Sequence, residues 1–227
     1  MKKKILLCCR KNEKYSNLLI KILKPKTNLK IFFSESYNEK LKKNFYKFRY
    51  DYILNFRSYL ILDKEILKRS KIAINFHPSL PKYRGVGCAN YAIMNEDKYF
   101  GSTIHMVNEK IDSGKIINVK KFKIKKNSTL KDLLNKTHRS MFYQAKFFIT
   151  KLLKDKIDIN KEISKNRYYW SKKYNNLKKL NDFYNLNLNL NKKVFQRYIR
   201  STIIENYLPT ISIQGRKFIY VSNKDWK

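Results

Sequence analysis

The fold is decided by the stretch Ile72-Ala73-Ile74-Asn75-Phe76-His77-Pro78, an apolar run that ends in polar residues. Its first three residues have the continuous apolar character of a strand that is buried on both faces. Pro78 favours extended backbone at His77, and residues two apart in an extended chain point to the same side. Asn75 and His77 are therefore expected to project together from the carboxyl end of a strand, where open α/β sheets bind ligands.

Strand-like and helix-like patterns alternate on both sides of this stretch. Short apolar runs predict strands, and apolar residues spaced three and four apart predict helices. The expected strands are 5–9, 29–33, 52–56, 72–74, 102–107 and 115–124, and the expected helices are 15–23, 63–69, 89–94 and 129–154. The mostly polar interval 37–48 also has apolar residues at helical spacing. This alternation predicts an α/β fold with a mostly parallel sheet flanked by helices.

A domain boundary is expected near Ile157, where the composition changes. Residues 157–227 are richer in asparagine and tyrosine and less regular than the residues before them. Their patterns predict a helix at 192–200 and strands at 210–213 and 217–221. The prediction is a main domain, residues 1–156, followed by a small C-terminal α+β extension, residues 157–227.

The composition argues against several classes of protein. No apolar run is long enough to span a bilayer, and the apolar stretch near the N-terminus is too short for a secretory signal, so no membrane association is expected. The three cysteines give neither a disulfide framework nor the ligand spacing of a zinc site. We therefore expect a cytoplasmic protein with reduced thiols and no metal.

The formal net charge of +35 has two interpretations. One is a polyanionic partner such as nucleic acid, a membrane surface or a phosphorylated substrate. The other is compositional drift, because lysine, asparagine, isoleucine, tyrosine and phenylalanine are all abundant and the lysines are spread along the whole chain. The even spread favours the second interpretation, although the field would still attract anionic ligands at low salt.

A second polar motif, Glu109-Lys110-Ile111-Asp112-Ser113-Gly114, lies between two of the predicted strands. Gly114 can adopt a positive φ, and the turn would bring the Asp112 carboxylate within reach of His77. Together with Asn75, these residues suit acyl transfer to an amine. The Asn75 amide and a protonated His77 can donate hydrogen bonds to an oxyanion, and His77 or Asp112 can take the proton of the amine.

Each of these residues also has a purely structural interpretation. A lone histidine such as His77 beside a loop is more often structural or exposed, and Asp112 before Ser-Gly fits an Asx turn. His105 lies inside an apolar strand pattern, which predicts a position in the core or behind a site. His138, on the long helix, is expected at the surface. The residues alone indicate a soluble α/β domain of undetermined function.

The motifs taken together resemble the formyltransferase family, which includes the methionyl-tRNA, glycinamide ribonucleotide and sugar N-formyltransferases. The resemblance rests on the segments 74–85 (INFHPSLPKYRG), 101–105 (GSTIH) and 111–114 (IDSG). The signature of the family is an Asn-x-His pair followed by an Asp-x-Gly turn, and here His77 and Asp112 stand 35 residues apart. The resemblance is strong over 50–125 and loose before it.

This resemblance implies a Rossmann-like catalytic domain and N10-formyltetrahydrofolate as the formyl donor. It implies that Asn75, His77 and Asp112 are the catalytic trio. The pteridine of the folate would bind largely through loop backbone after the third strand, with the 109–112 turn on the other side. The resulting candidates for cofactor binding are Arg57, Ser58, Tyr59, Leu60, Glu109 and Ile111.

Among the acceptors of the family, the sequence favours an amino-deoxysugar carried by a nucleotide. The loop has a single leucine before Pro81 and then Tyr-Arg-Gly, which is similar to the sugar N-formyltransferase version, and the extension is shorter than the domain that the tRNA enzymes append. A homodimer is also expected from this similarity. The candidates for acceptor contacts are Lys82, Tyr83 and Arg84, and the aromatics that could stack on a base are Tyr168, Tyr169 and Trp170.

Two other functions stay open at this point. A methionyl-tRNA formyltransferase would use the same trio, and the positive charge fits tRNA as well as it fits a nucleotide. A basic RNA-binding protein with an inactive formyltransferase fold would also explain the charge. The intact Asn75, His77 and Asp112 argue against that third function, so nucleic acid is not the expected partner.

Overall fold

The computed structural model describes residues 1–37, 39–186, 189–204 and 207–221 of the chain. Its strands are β1 (Lys4–Arg10), β2 (Asn28–Ser34), β3 (Tyr50–Phe56), β4 (Ser70–His77), β5 (Arg84–Gly85), β6 (Tyr99–Met106), β7 (Ile116–Lys123), β8 (Tyr174–Asn175), β9 (Thr210–Ile213) and β10 (Arg216–Ile219). Its helices are α1 (Lys14–Leu23), α2 (Lys64–Leu67), α3 (Cys88–Met94), α4 (Leu130–Leu153), α5 (Ile159–Lys165), α6 (Leu177–Phe183) and α7 (Lys192–Thr202), with a 3-10 helix at Lys43–Lys47.

Six of these strands form a central sheet in the order β2-β1-β3-β4-β6-β7. The first four strands in that order run parallel to one another, and β6 and β7 continue the sheet antiparallel. The mostly parallel α/β sheet flanked by helices is therefore confirmed. In the parallel part, Cys9 pairs with Phe56 and Phe56 pairs with Phe76, so β1, β3 and β4 end side by side.

Local capping explains where the helices that border the site begin. The Glu13 side chain accepts hydrogen bonds from the backbone N–H groups of Tyr15 and Ser16 and so caps α1. Thr129 and Asp132 cap each other's backbone N–H groups at the start of α4, which is a capping box. These interactions fix the ends of two helices that pack on the same face of the sheet.

Alternating side chains of the strands cover both faces of the sheet with apolar surface. Leu54, Phe56 and Phe76 pack in a core with residues of α1 and α4. Ile53 packs in the core on the opposite face, together with residues of α2 and the 3-10 helix. Since successive residues of a strand point to opposite faces, Asn75 lies on the Ile53 face of the sheet.

Three features of the chain differ from the sequence-based predictions. Among the described residues of the interval 37–48, only Lys43–Lys47 are helical, because few of these residues bury apolar surface. The extension contains α5, α6 and β8, which were not predicted, and β8 pairs with β5 in the main domain. His138 is half-buried in α4, whereas a surface position was expected.

Candidate active site

The three residues of the predicted trio lie together at the carboxyl end of β4. Asn75 and His77 belong to β4, and Asp112 belongs to the turn between β6 and β7. The Asn75 amide nitrogen Nδ2 donates to Asp112 Oδ1 over 3.3 Å. His77 Nδ1 lies 3.4 Å from Asp112 Oδ2. One strand and one turn thus converge on a single carboxylate.

Backbone geometry holds Asp112 in this position. Its φ of 44° is in the left-handed region, which an Asp tolerates better than most residues. The backbone N–H of Gly85 donates to Asp112 Oδ2 over 2.8 Å. Any residue with a Cβ at Gly114 would place that atom 1.8 Å from the carbonyl oxygen of Met106. The glycine is therefore required for the turn to pass close to β6.

Burial makes the electrostatics of this cluster strong. Asp112 is 7% exposed and His77 is 3% exposed. Burial by itself would raise the pKa of Asp112, but the adjoining imidazoles of His77 and His105 and the Gly85 N–H hold that pKa well below its usual range. Burial lowers the pKa of His77, and Asp112 opposes this effect. Near pH 7, Asp112 is thus an ionised carboxylate and His77 is a neutral imidazole.

His105 also belongs to this cluster, although the sequence predicted for it only a position in the core or behind the site. Its Nε2 lies 3.0 Å from Asn75 Nδ2 and 3.5 Å from Asp112 Oδ1. Its Nδ1 lies 2.8 Å from the carbonyl oxygen of Met106, to which it donates. Nε2 is then the acceptor for the Asn75 amide. His105 and Asp112 therefore fix the orientation of Asn75, the half-exposed member of the trio.

Residues 166–175 of the extension, which we name the strap, cross over the two histidines. The Trp170 ring centroid lies 5.7 Å from that of His77 and 4.9 Å from that of His105. Its Nε1–H donates to the carbonyl oxygen of Gly114 over 2.7 Å. The sequence suggested Trp170 only as a residue that stacks on a nucleotide base. Its contact with the histidines depends on a pairing distant in sequence, for which no local motif exists.

Arg84 connects the strap to the trio. Its guanidinium donates to the carbonyl oxygens of Ser171, over 3.2 Å, and Ile111, over 2.8 Å. The backbone of Ser171 donates to the carbonyl oxygen of Pro81 over 2.9 Å. Arg84 thus holds the turn that carries Asp112, and its predicted contact with an acceptor stays a prediction.

The other acceptor candidates have protein partners as well. The Tyr83 ring is buried in the core, its hydroxyl donates to Asp97 over 2.8 Å, and its carbonyl oxygen lies 2.8 Å from His77 Nε2. The Lys82 ammonium is more exposed and lies 2.6 Å from Asp97. Of these two side chains, only that of Lys82 faces solvent.

The predicted folate loop after β3 is anchored by side chains of neighbouring strands. Ser58 Oγ donates to Ser34 Oγ over 2.9 Å, and the backbone N–H of Tyr59 donates to the same oxygen over 3.0 Å. Leu60 is buried, and Arg57 pairs with Glu13 at 2.7 Å. This loop therefore has a fixed conformation beside the trio.

The two candidates on the opposite turn lie differently. Glu109 is exposed, and its carboxylate lies 3.6 Å from the Lys64 ammonium. Ile111 is half-buried, and its carbonyl oxygen is held by Arg84. The turn thus presents one anchored and one solvent-exposed residue.

The residues around the trio fit a folate. Asn55 pairs with Asn75 in adjacent strands, and its Oδ1 is buried without a hydrogen-bond partner among the described residues. A buried acceptor of this kind is costly unless a donor reaches it. A pteridine carries several N–H donors, so a folate in this cleft would supply one. Asn55 was not identified from the sequence, because an asparagine in a strand has no distinguishing local signal.

The described residues offer neither a metal site nor a membrane-spanning helix. No group of histidine, cysteine, aspartate and glutamate there has the geometry to hold a metal ion. No helix in the described ranges is long and apolar enough to cross a membrane.

Comparison with known proteins identifies relatives by sequence and by fold. The formyl transferase family model matches residues 8–144. A methionyl-tRNA formyltransferase of Clostridium tetani is 36% identical over 123 residues, which are 53% of this chain and 40% of the relative. The chain spans less than half the length of the curated relatives that it matches.

Two solved structures share the fold over nearly the whole chain. A 4-N formyltransferase from Francisella tularensis has a TM-score of 0.78 at 19% identity and covers 97% of both chains. An N-formyltransferase from Helicobacter canadensis, in complex with folinic acid and dTDP-3-aminofucose, has a TM-score of 0.71 at 19% identity, with 94% and 85% covered. The family model spans more than half of the sequence and includes all three residues of the trio, so the chain belongs to the formyl transferase family.

Proposed function

We propose that this protein transfers a formyl group from N10-formyltetrahydrofolate to the amine of a nucleotide-linked amino sugar. The observation that carries the proposal is the buried, ionised Asp112 held between Asn75 and His77 at the carboxyl end of β4. Formyl transfer to an amine needs a hydrogen-bond donor at the oxygen that becomes negative and an acceptor for the proton of the amine. This cluster supplies both.

Asn75 is the residue of the trio that meets the substrate. It is half-exposed, and His105 and Asp112 hold its amide in one orientation. A bound folate supplies the activated formyl group and the nitrogen that leaves. Asn75 then orients that group, because a pre-organised amide loses little conformational freedom when it binds.

His77 and Asp112 manage the proton. Neutral His77 donates from Nε2 to the Tyr83 carbonyl oxygen, which leaves its Nδ1 facing the Asp112 carboxylate. A proton that reaches Nδ1 is stabilised by the carboxylate 3.4 Å away. Trp170 and the strap keep water from this pair, which strengthens the attraction between them.

We base the proposed acceptor on the fold shared with solved structures and on the share of each relative's length that the chain matches. The fold of the Francisella tularensis 4-N formyltransferase matches along 97% of both chains, including most of the extension. The Helicobacter canadensis protein, which matches over most of its length, was crystallised with a nucleotide-linked amino sugar. Sequence relatives that are methionyl-tRNA formyltransferases match over less than half of their length. These matches favour the sugar, and methionyl-tRNA is the second candidate because of the sequence relatives.

The test is a turnover assay with N10-formyltetrahydrofolate and a panel of nucleotide-linked 3-amino and 4-amino sugars, read by mass spectrometry. We expect one sugar to gain one formyl group. Asp112→Asn should lower kcat at least about 100-fold, as expected for the loss of acid–base or oxyanion assistance. The matched control is Asp155→Asn, at an exposed aspartate paired with Lys3, which should leave turnover unchanged.

Near-normal turnover by a folded Asp112→Asn protein would contradict the role given to the trio. Turnover of methionyl-tRNA, with none of any sugar, would replace the proposed acceptor by the second candidate. Salt-sensitive RNA binding without turnover of any acceptor would favour the inactive RNA-binding protein.

A further inference from the structure

Two arginines leave the sheet side by side next to the trio. Arg10 is the last residue of β1, and Arg57 directly follows β3. Because Cys9 pairs with Phe56, the two arginines occupy equivalent positions on neighbouring strands. Their backbones are therefore about 5 Å apart, which is the usual spacing of strands in a sheet.

The Arg57 guanidinium has a carboxylate partner. Arg57 pairs with Glu13 at 2.7 Å, and their side chains are 12% and 15% exposed. The same carboxylate also accepts hydrogen bonds from the backbone N–H groups of Tyr15 and Ser16 and from the Ser16 hydroxyl. Arg10 forms no ion pair with any described residue, so the pair of arginines keeps an excess positive charge in a largely enclosed place.

The Arg10 side chain packs against an aromatic ring, and its buried Nε has no polar partner in the described part of the chain. Its guanidinium lies 4.0 Å from the centre of the Tyr59 ring. The Tyr59 ring packs in turn against that of Tyr37, with centroids 4.5 Å apart. The Nε atom of Arg10 is buried and has no hydrogen-bond acceptor in the described part of the chain. A buried cationic N–H without an acceptor is costly, and an anion would satisfy it.

The charges of both guanidinium groups act on His138 of α4. Burial, followed by the charges of Arg57 and Arg10, lowers the pKa of His138 to about 3. The ring is therefore neutral near pH 7, and it makes no hydrogen bond to another described residue. Because the charges of the two arginines act on this ring, an anion bound to them should change its NMR signal.

This cluster adjoins the site of formyl transfer. Phe56 pairs with Phe76, so Arg57 and His77 are the next residues on neighbouring strands. Arg57 also begins the loop predicted to meet the folate. An anion bound by the arginines would belong to a molecule that reaches the trio.

We propose that Arg10 and Arg57 form an oxyanion subsite that holds a phosphate or carboxylate group carried by one of the two substrates. Guanidinium groups bind such oxyanions through paired N–H donors. The identity of the ligand rests on the proposed function, whereas the existence of the subsite can be tested without any turnover.

The test is calorimetric titration of the intact protein with inorganic pyrophosphate at physiological ionic strength. Arg10→Gln should weaken binding at least about tenfold, since it removes a charge-assisted partner of the anion. The matched control is Lys11→Gln, which removes the same charge at the next residue, where the exposed ammonium pairs with Glu35 at 2.8 Å. This control should change affinity less than about twofold, because exposed charges are screened. Equal losses in both variants, or no binding by the unaltered protein, would overturn the subsite.

A second measurement keeps the test decisive if Arg10→Gln folds poorly. The chain has three histidines, so its imidazole NMR signals are few enough to assign by substitution. Pyrophosphate should shift the His138 signal of the unaltered protein more than those of His77 and His105. An unchanged His138 signal at saturating pyrophosphate would count against the proposal.

Competition identifies which substrate carries the anion. If folinic acid displaces pyrophosphate, the subsite holds a carboxylate of the folate. If the two bind together, it holds a phosphate of the acceptor. Failure of the proposed function would appear separately, as an absence of formyl transfer while pyrophosphate still binds and Arg10→Gln still weakens it.

Discussion

Asp112 is a single carboxylate shared by two histidines and an asparagine. Its oxygens lie 3.3–3.5 Å from Asn75, His77 and His105, and the Gly85 N–H completes its shell. Removing the carboxylate would leave several buried polar groups without their partner. The same residue therefore serves the fold and the proposed chemistry, so variants that keep its shape, such as Asp112→Asn, are the informative ones.

His138 predicts a specific dependence of stability on pH. Its pKa is lowered to about 3 in the folded protein, from about 6.5 in an unfolded chain. Below pH 6.5 the unfolded chain binds a proton that the folded protein does not, so stability falls as the pH drops towards 3. We expect this fall to be shallower in His138→Gln, by up to about 1.4 kcal/mol per pH unit. Urea unfolding between pH 7 and pH 4, in a buffer free of phosphate, measures it.

Comparing the unaltered protein with His138→Gln separates the contribution of His138 from those of the other titratable groups. Burial also lowers the pKa of His77, which adds acid sensitivity of the same sign to both proteins. Parallel curves of unfolding free energy against pH would show that His138 titrates normally in the folded state.

Single residues were predictable where the signal was local. Asn75 and His77 are two apart in a strand, and Asp112 lies in a recognisable turn, so their convergence followed from the sequence. The contact of Trp170 with the histidines and the pairing of Arg57 with Glu13 join distant parts of the chain. Nothing in the neighbourhood of Trp170 or Arg57 indicates its partner.

At the scale of elements, the strap links the extension to the main domain. β8 pairs with β5 in parallel, and the Val86 N–H donates to the Asn175 carbonyl oxygen over 2.9 Å. Asn166 donates to the carbonyl oxygen of Ile116 over 2.9 Å at the other end of the strap. One end is thus fixed by backbone pairing and the other by the Asn166 side chain, with the indole of Trp170 between them.

Truncating Trp170 should change the titration of His77. Burial lowers the pKa of His77, and the indole covers its ring. In Trp170→Ala, water reaches the imidazole, so its pKa should rise towards about 6.5, the value of an exposed histidine. The measurement is an NMR titration of the imidazole signals.

Trp170→Phe is the matched control for this experiment. A phenyl ring keeps most of the cover over the histidines and loses only the bond to the Gly114 carbonyl oxygen. The pKa of His77 should therefore stay low in this variant. Equal His77 titrations in the Ala and Phe variants would show that the indole does not control access of water.

Elements with strong periodicity were predictable, and short ones were not. α4 has a capping box and a long apolar face, so its limits followed from the sequence. The two-residue strands β5 and β8 have no pattern of their own and exist only through their pairing. The interval 37–48 had helical spacing but few buried residues, and tertiary packing left it with one short 3-10 helix.

At the scale of the whole molecule, the net charge of +35 acts against compactness. Like charges repel more strongly in the folded state than in an expanded chain, and salt screens this repulsion. The cations are distributed over helices, strands and loops, so the effect belongs to no single ion pair. This distribution was visible in the sequence, and it is why the charge did not identify a partner.

Sodium chloride should therefore stabilise the protein. Between about 20 mM and 300 mM, we expect Tm to rise by at least about 2 °C, because the Debye length falls below the spacing of most surface charges. Differential scanning calorimetry measures the change. Chloride is preferable to phosphate here, since an anion that binds the arginine pair would add its own stabilisation.

The shape of the salt response separates screening from general salting-out. Screening should level off at a few tenths molar, as the Debye length becomes shorter than the spacing of most surface charges. A Tm that is flat or falls over this range would show that self-repulsion is negligible in this fold.

The position of Trp170 late in the chain has a consequence for biosynthesis. A ribosome that has delivered β1 to α4 has already made every strand of the central sheet and every residue of the trio. The histidines stay open to water until the strap follows, because the indole that covers them is still untranslated. Domains fold as units during synthesis. We therefore expect the central sheet of the nascent protein to form first, and Trp170 to cover His77 and His105 last.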